Sequence, residues 1–196
     1  VNGAPWTRLQ TEPIWAAAER AHARRLGRVY HDWDRVLRLY DRAGRVLHLP
    51  YDRPLDLAIL THSVQTGPGG DRRARSVEWL RAQADPGEPV EAAARLILAG
   101  PYRDLSDPRL PLLELSDLAF PVSGRAALRD IAAEIRLLTR LEAREIVTGL
   151  QDELNRIRRA LGAALPRIQG IAMREFAREV IHGCETLTKD GIETFL

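Results

Sequence analysis

The sequence predicts an all-helical protein, and three features predict it. Apolar residues recur at spacings of three and four along most of the 196 residues. No run of alternating apolar and polar residues is long enough to make a sheet. Proline, glycine and capping residues cut the chain into about eight or nine helices, with no internal repeat or low-complexity stretch between them. With 45% hydrophobic and 29% charged residues, a chain of this length can bury a real core, which excludes a disordered or fibrous protein. The expected architecture is one helical domain over residues 1–196, with its core between about Thr11 and Leu187.

Thr11 with Pro13 just inside marks a helix start, and Ile14, Ala17, Ala18, Ala21 and Leu26 follow at helical spacing until Gly27. Val36, Leu37 and Tyr40 mark a second helix that should stop near Gly44. A third begins at Pro54 and carries Leu57, Ala58 and Leu60 up to His62 and Ser63. Residues 66–70 hold three glycines and a proline and read as a loop. Asp71 caps a fourth helix that reaches about Ala84, and Pro89 opens a fifth that ends at Gly100 and Pro101. Leu110–Phe120 is apolar apart from Glu114, Ser116 and Asp117, which predicts a buried helix holding a few polar groups. Pro121 should break it and Ser123 recap the chain. Two longer helices are expected over 124–140 and 142–164, ended by Pro166 and Gly170, then a last one from Ile171 to Leu187 with a frayed tail.

The charge balance bounds the partners. Lys plus Arg number 29 against 27 Asp plus Glu, so the formal charge of +2 gives no broad field for nucleic acid despite a pI near 9.0. Lys189 is the only lysine. The positive charge is therefore arginine, the residue suited to bidentate pairing with carboxylate or phosphate, although genomic base composition accounts for the same bias. A lone Cys184 excludes a disulfide framework or cysteine-rich zinc site within the chain and fits a reducing interior. No signal peptide or membrane span is visible, and the expectation is a soluble, cytoplasmic protein without a membrane partner.

Three titratable residues in apolar settings are the candidates for chemistry: His31, His62 and Asp117. On neighbouring helices such residues can converge on one point, as metal ligands in bundles do, although a buried His or Asp is more often a hydrogen-bonded structural group. Other features take plainer readings. Gly67–Pro68–Gly69–Gly70 lacks the lysine and Ser/Thr of a phosphate loop and reads as a turn. Trp15, Trp33 and Trp79 read as packing residues, Arg156, Arg158 and Arg159 as a solvated helix face, and His22, His48, His182 and Cys184 carry no assigned chemistry.

The order of the pieces adds to this. Arg28-x-Tyr30-His31, then Leu57 to His62, then Arg75-Ser76, then Leu96-Ile97-x-Ala99, then Asp117-Leu118-Ala119 make the chain resemble the predicted metal-dependent HD-superfamily phosphohydrolases from about Trp15 to Val180. The resemblance implies an all-helical HD fold and a metal site taking His31, His62 and Asp117, with His62 and Asp117 as the catalytic pair. Five positions depart from the family pattern. Ser63 stands in place of the aspartate of the His-Asp pair, Arg35 and Arg103 stand where further histidines are expected, and Arg72 and Arg73 replace acidic residues.

A hydroxyl is a neutral and much weaker donor to a hard cation than a carboxylate, so the resemblance implies at most one divalent metal ion, weakly held. On that basis Ser63→Asp is expected to raise metal occupancy. Two functions then compete: a metal-dependent phosphohydrolase acting on a nucleotide or other small phosphoester, and a catalytically inactive HD-type protein that binds an anionic ligand or protein partner through Arg28, Arg35, Ser63 and Arg103. A purely structural role stands behind both.

Overall fold

The computed structural model describes residues 5–23, 28–65, 71–99 and 120–192. Every regular element among them is helical, as the periodicity predicts, and none is a strand. The chain divides into two compact units, Val1–Gly100 and Pro101–Leu196. The sequence, read as one domain, carries no composition shift at this boundary, only the Gly100–Pro101 punctuation that also ends a helix.

The first unit opens with a short 3-10 turn, Pro5–Thr11, and continues with α1 (Pro13–His22), α2 (Trp33–Asp41), α3 (Arg53–Thr61), α4 (Arg72–Gln83) and α5 (Val90–Leu98). Aspartates start three of these helices. Asp32 Oδ1 accepts from the Arg35 amide at 3.1 Å, Asp52 Oδ1 from Leu55 at 2.8 Å, and Asp71 Oδ1 from Arg73 at 2.9 Å. Each satisfies an amide that the first turn leaves without a helical partner. The centre of the unit is α3. Leu55 to Thr61 are all buried, so this helix has no solvated face, and it packs against α1, α2, α4 and α5. Trp15 and Trp33 meet edge to face at 5.0 Å, and Trp15 is buried, which supports their reading as packing residues.

The second helix does not stop at Gly44. It widens into a π-turn, Arg42–Val46, closed by the Leu47 amide on the Arg42 carbonyl at 2.8 Å. His48 follows in the left-handed region with φ 48°. The turn is anchored by the Trp6 indole, which donates to the Leu49 carbonyl at 3.1 Å.

The second unit contains α6 (Phe120–Leu138), α7 (Ala143–Ala164) and α8 (Ile171–Lys189), packed on one another. The buried residues of α7, Ile146, Leu150, Leu154, Ile157 and Leu161, follow a stripe of threes and fours. A reciprocal capping box of Glu142 and Glu145 starts that helix. The break expected at Pro121 and Ser123 falls instead at Gly124, with φ 71° and ψ −154°. That backbone region is essentially open to glycine alone. The chain beyond Lys189 packs down at least as far as Ile192, which is fully buried, where fraying was expected. The glycine-rich segment 66–70, most of the apolar stretch 110–120, Arg103 and Asp117 lie outside the described residues.

Candidate functional site

A buried helix ends with carbonyl groups that need donors. At the C-terminal end of α3 those donors are side chains. The His22 ring, from the last turn of α1, contacts the Leu60 carbonyl through Nε2 at 3.2 Å. His62 turns Nδ1 back onto the Ile59 carbonyl at 3.0 Å. Arg28 supplies the rest: Nη1 donates to the Ser63 carbonyl at 3.1 Å and to the His31 carbonyl at 2.9 Å, and Nη2 donates to Val64 at 2.7 Å. A cation here also complements the negative end of the helix dipole.

The same guanidinium sets the state of His22. Arg28 Nη1 lies 3.0 Å from His22 Nδ1, and an arginine can only donate, so Nδ1 is the acceptor. A carbonyl can only accept, so Nε2 carries the proton. Burial, then the Arg28 charge and then His62 hold the imidazole down at about 3, from an ordinary 6.5. An unfolded His22 takes up a proton below about 6.5, whereas the folded ring stays neutral until about 3. The stability that His22 contributes is therefore present above about 6.5 and is lost as pH falls towards 3, by roughly 5 kcal/mol in all. NMR of the His22 ring should show the neutral Nε2–H tautomer down to pH about 4. Titration of that ring near its ordinary value would contradict the assignment.

The structure brings five of the seven predicted site residues into one neighbourhood. The backbones of His31 and Ser63 converge on the Arg28 guanidinium, and His62 precedes Ser63 at the end of α3. Arg35, only 3% exposed, points Nη1 at the Ser63 hydroxyl from 3.5 Å and lies over the Tyr30 ring at 5.2 Å. His31 is half-buried and packs edge-on against Tyr30 at 5.2 Å. Ser76, of the Arg75-Ser76 pair, is fully buried and accepts from the Gln65 amide at 3.2 Å, tying α4 to the chain just past Ser63. Arg73 donates to the Ala99 carbonyl at 2.6 Å, at the end of α5. The other two site residues, Asp117 and Arg103, are outside the described residues.

His22 is the group that sequence reasoning passed over. A signal for it exists, because Ile14, Ala18 and His22 are spaced by fours on the buried face of α1.

The donor chemistry decides whether a metal fits. His62 suits one: its Nδ1–H is held by a carbonyl, which leaves the lone pair on Nε2, the orientation that metal-binding histidines adopt. The rest does not. The position after His62 offers a neutral hydroxyl, with a permanently charged guanidinium 3.5 Å from it. A second guanidinium binds the backbone on both sides of the cluster. Divalent cations and guanidinium groups repel, and in a buried setting that repulsion is weakly screened. Among the described residues no group of three or more His, Cys, Asp or Glu is arranged to hold a metal. Among the described residues this donor set is a poor one for a divalent ion, and Asp117, the third expected ligand, lies outside them.

No protein-family model matches the chain, and neither a curated protein nor a solved structure matches it. None of the helices among the described residues is long and apolar enough to cross a membrane.

Proposed function

We propose that the first unit is a degenerate HD-type module that binds a small phosphorylated ligand, such as a nucleotide, through arginine charge and does not hydrolyse it. The observation that carries this reading is the Arg35 guanidinium at the Ser63 hydroxyl, the position where the HD pattern calls for a metal-binding aspartate. A guanidinium pairs with phosphate without any metal, and the serine hydroxyl adds a neutral donor beside it. Neither group is a general base, because arginine stays protonated at any working pH. His22 adds no base either, since both its ring nitrogens are engaged inside the protein.

The test is equilibrium binding of AMP, ADP, ATP and GTP, with and without Mn²⁺, alongside release of inorganic phosphate. Binding of at least one nucleotide is expected to survive chelation of the metal and to weaken about tenfold or more in Arg35→Met, the effect of losing a charge-assisted hydrogen bond. No phosphate release is expected. Metal-dependent turnover abolished by His62→Ala would instead establish the hydrolase reading, and failure of every nucleotide to bind would leave the cluster a purely structural one.

A further inference from the structure

Near its N-terminal end, α3 carries a second polar cluster, centred on Asp56, which has no solvent exposure. Tyr40 of α2 donates its hydroxyl to Asp56 Oδ1 at 2.8 Å and to the Asp56 carbonyl at 3.1 Å. Tyr51 precedes α3, Arg53 opens it, Glu12 precedes α1 and Glu88 precedes α5. Arg53 is committed to the two glutamates. Its Nε and Nη2 bond Glu88 at 2.9 and 2.6 Å, and its Nη1 and Nη2 bond Glu12 at 2.9 and 2.6 Å. One guanidinium charge is already exceeded by two carboxylates.

Asp56 therefore sits beside a cation that others have neutralised. Among the described residues, no well-formed hydrogen bond reaches Asp56 Oδ2 or the Tyr51 hydroxyl, and the two groups are left to a weak interaction with each other. Ionised, Asp56 adds a third carboxylate charge in a place closed to solvent, with Tyr40 bonded to one oxygen and only the weak Tyr51 interaction at the other. Protonated, it sheds that charge, keeps the Tyr40 bond and gains a proton on Oδ2 to offer to Tyr51.

We propose that Asp56 is a proton-binding site built into the first unit, one that holds its proton in the folded state under mildly acidic conditions and gives it up towards neutral pH at a cost in stability. Burial pushes the carboxyl up to about 6 from an ordinary 3.8; Tyr40, Tyr51 and Arg53 pull it down by less, and Glu12 adds a small push upward. Between those two values the folded protein holds a proton that the unfolded chain does not. The contribution of Asp56 to stability is thus greatest below about 4, falls as pH rises to about 6, and is flat beyond. The full change is about a hundredfold in the unfolding equilibrium. His22 works in the opposite direction over an overlapping range, so the wild-type curve is flatter than that of a variant lacking either group. Since α3 also carries His62 and Ser63 just past its other end, the proton on Asp56 bears on how firmly the candidate site is held.

All four tryptophans, Trp6, Trp15, Trp33 and Trp79, lie in the first unit, so their fluorescence in the full chain follows that unit through denaturation. Comparison of wild type with Asp56→Asn cancels His22 and every other shared group. The variant should gain on the wild type by about a hundredfold in the unfolding equilibrium between pH about 4 and about 7. A ratio independent of pH overturns the proposal. Infrared titration of the wild type gives a second readout if Asp56→Asn does not fold: a protonated-carboxyl band should disappear with a midpoint near 6. Tyr40→Phe removes a donor that favours the ionised form and should move that midpoint higher. The absence of any carboxyl titrating above the ordinary range, or a midpoint unmoved in Tyr40→Phe, also overturns it.

Discussion

Arg28→Met is expected to destabilise the first unit by about 3–5 kcal/mol, a large share of the stability of a domain of this size. Four acceptors depend on that guanidinium: His22 Nδ1 and the carbonyls of His31, Ser63 and Val64. Methionine fills a similar volume but donates nothing, so these groups lose their donor in a place where water does not replace it. Arg28→Lys should recover only part of the loss, because an ammonium cannot reproduce the planar fork that reaches two residues past α3 and one on the opposite segment. Urea denaturation followed by tryptophan fluorescence measures both variants. If Arg28→Met lies within about 1 kcal/mol of wild type, the guanidinium is not what joins residues 28–31 to the end of α3.

The second large effect concerns metal. Restoring the carboxylate alone, as Ser63→Asp, is the obvious change from the sequence, yet the structure points Arg35 Nη1 at Ser63 Oγ from 3.5 Å. A new carboxylate there would pair with that guanidinium rather than with a cation in solution. Ser63→Asp alone is therefore expected to leave metal affinity near that of wild type. The double variant Ser63→Asp/Arg35→His removes the competing charge and adds an imidazole, which should raise Mn²⁺ affinity by at least about a hundredfold, since it exchanges a repelling group for two ligands. Isothermal titration of Mn²⁺ into wild type, the single variant and the double variant separates the contributions. Equal affinity in the single and double variants would show that Arg35 does not guard the position.

How much of this was legible in the sequence follows from how local each determinant is. The start of α3 at Pro54 and the cap at Asp71 are written in adjacent residues, and both helices begin within a residue of the expected place. The stop near Gly44 was not legible, because a glycine is compatible with a helix end and equally with a π-turn, and hydrogen bonds several residues apart choose between them. Gly124 shows the reverse. The proline three residues earlier is the louder signal, yet the backbone turns where only glycine tolerates the dihedrals.

The site divides in the same way. Residue identity makes His62 and Ser63 resemble an HD pair with its aspartate replaced, and it marks Arg28 and Arg35 as cations able to hold a phosphate. It does not show that the acceptors of Arg28 are the protein's own carbonyls, because residues 31, 63 and 64 meet only in the folded chain. His22 was passed over for the same reason: its importance comes from the end of α1 reaching the end of α3, 38 residues along the chain. Asp56 carries a signal that was applied elsewhere. It is an acid inside the apolar run Leu55–Leu60, the same feature that singled out Asp117.

Under the proposed function, cationic side chains stand where an HD-type protein would hold a metal, and a Mn²⁺ titration of the wild-type protein, followed by electron paramagnetic resonance of the free ion, tests this most directly. The free-ion signal is expected to rise in proportion to added Mn²⁺ from the first addition, with no stoichiometric depletion and no difference between wild type and His62→Ala. Depletion of one equivalent of Mn²⁺ by the wild type, abolished in His62→Ala, would contradict the account.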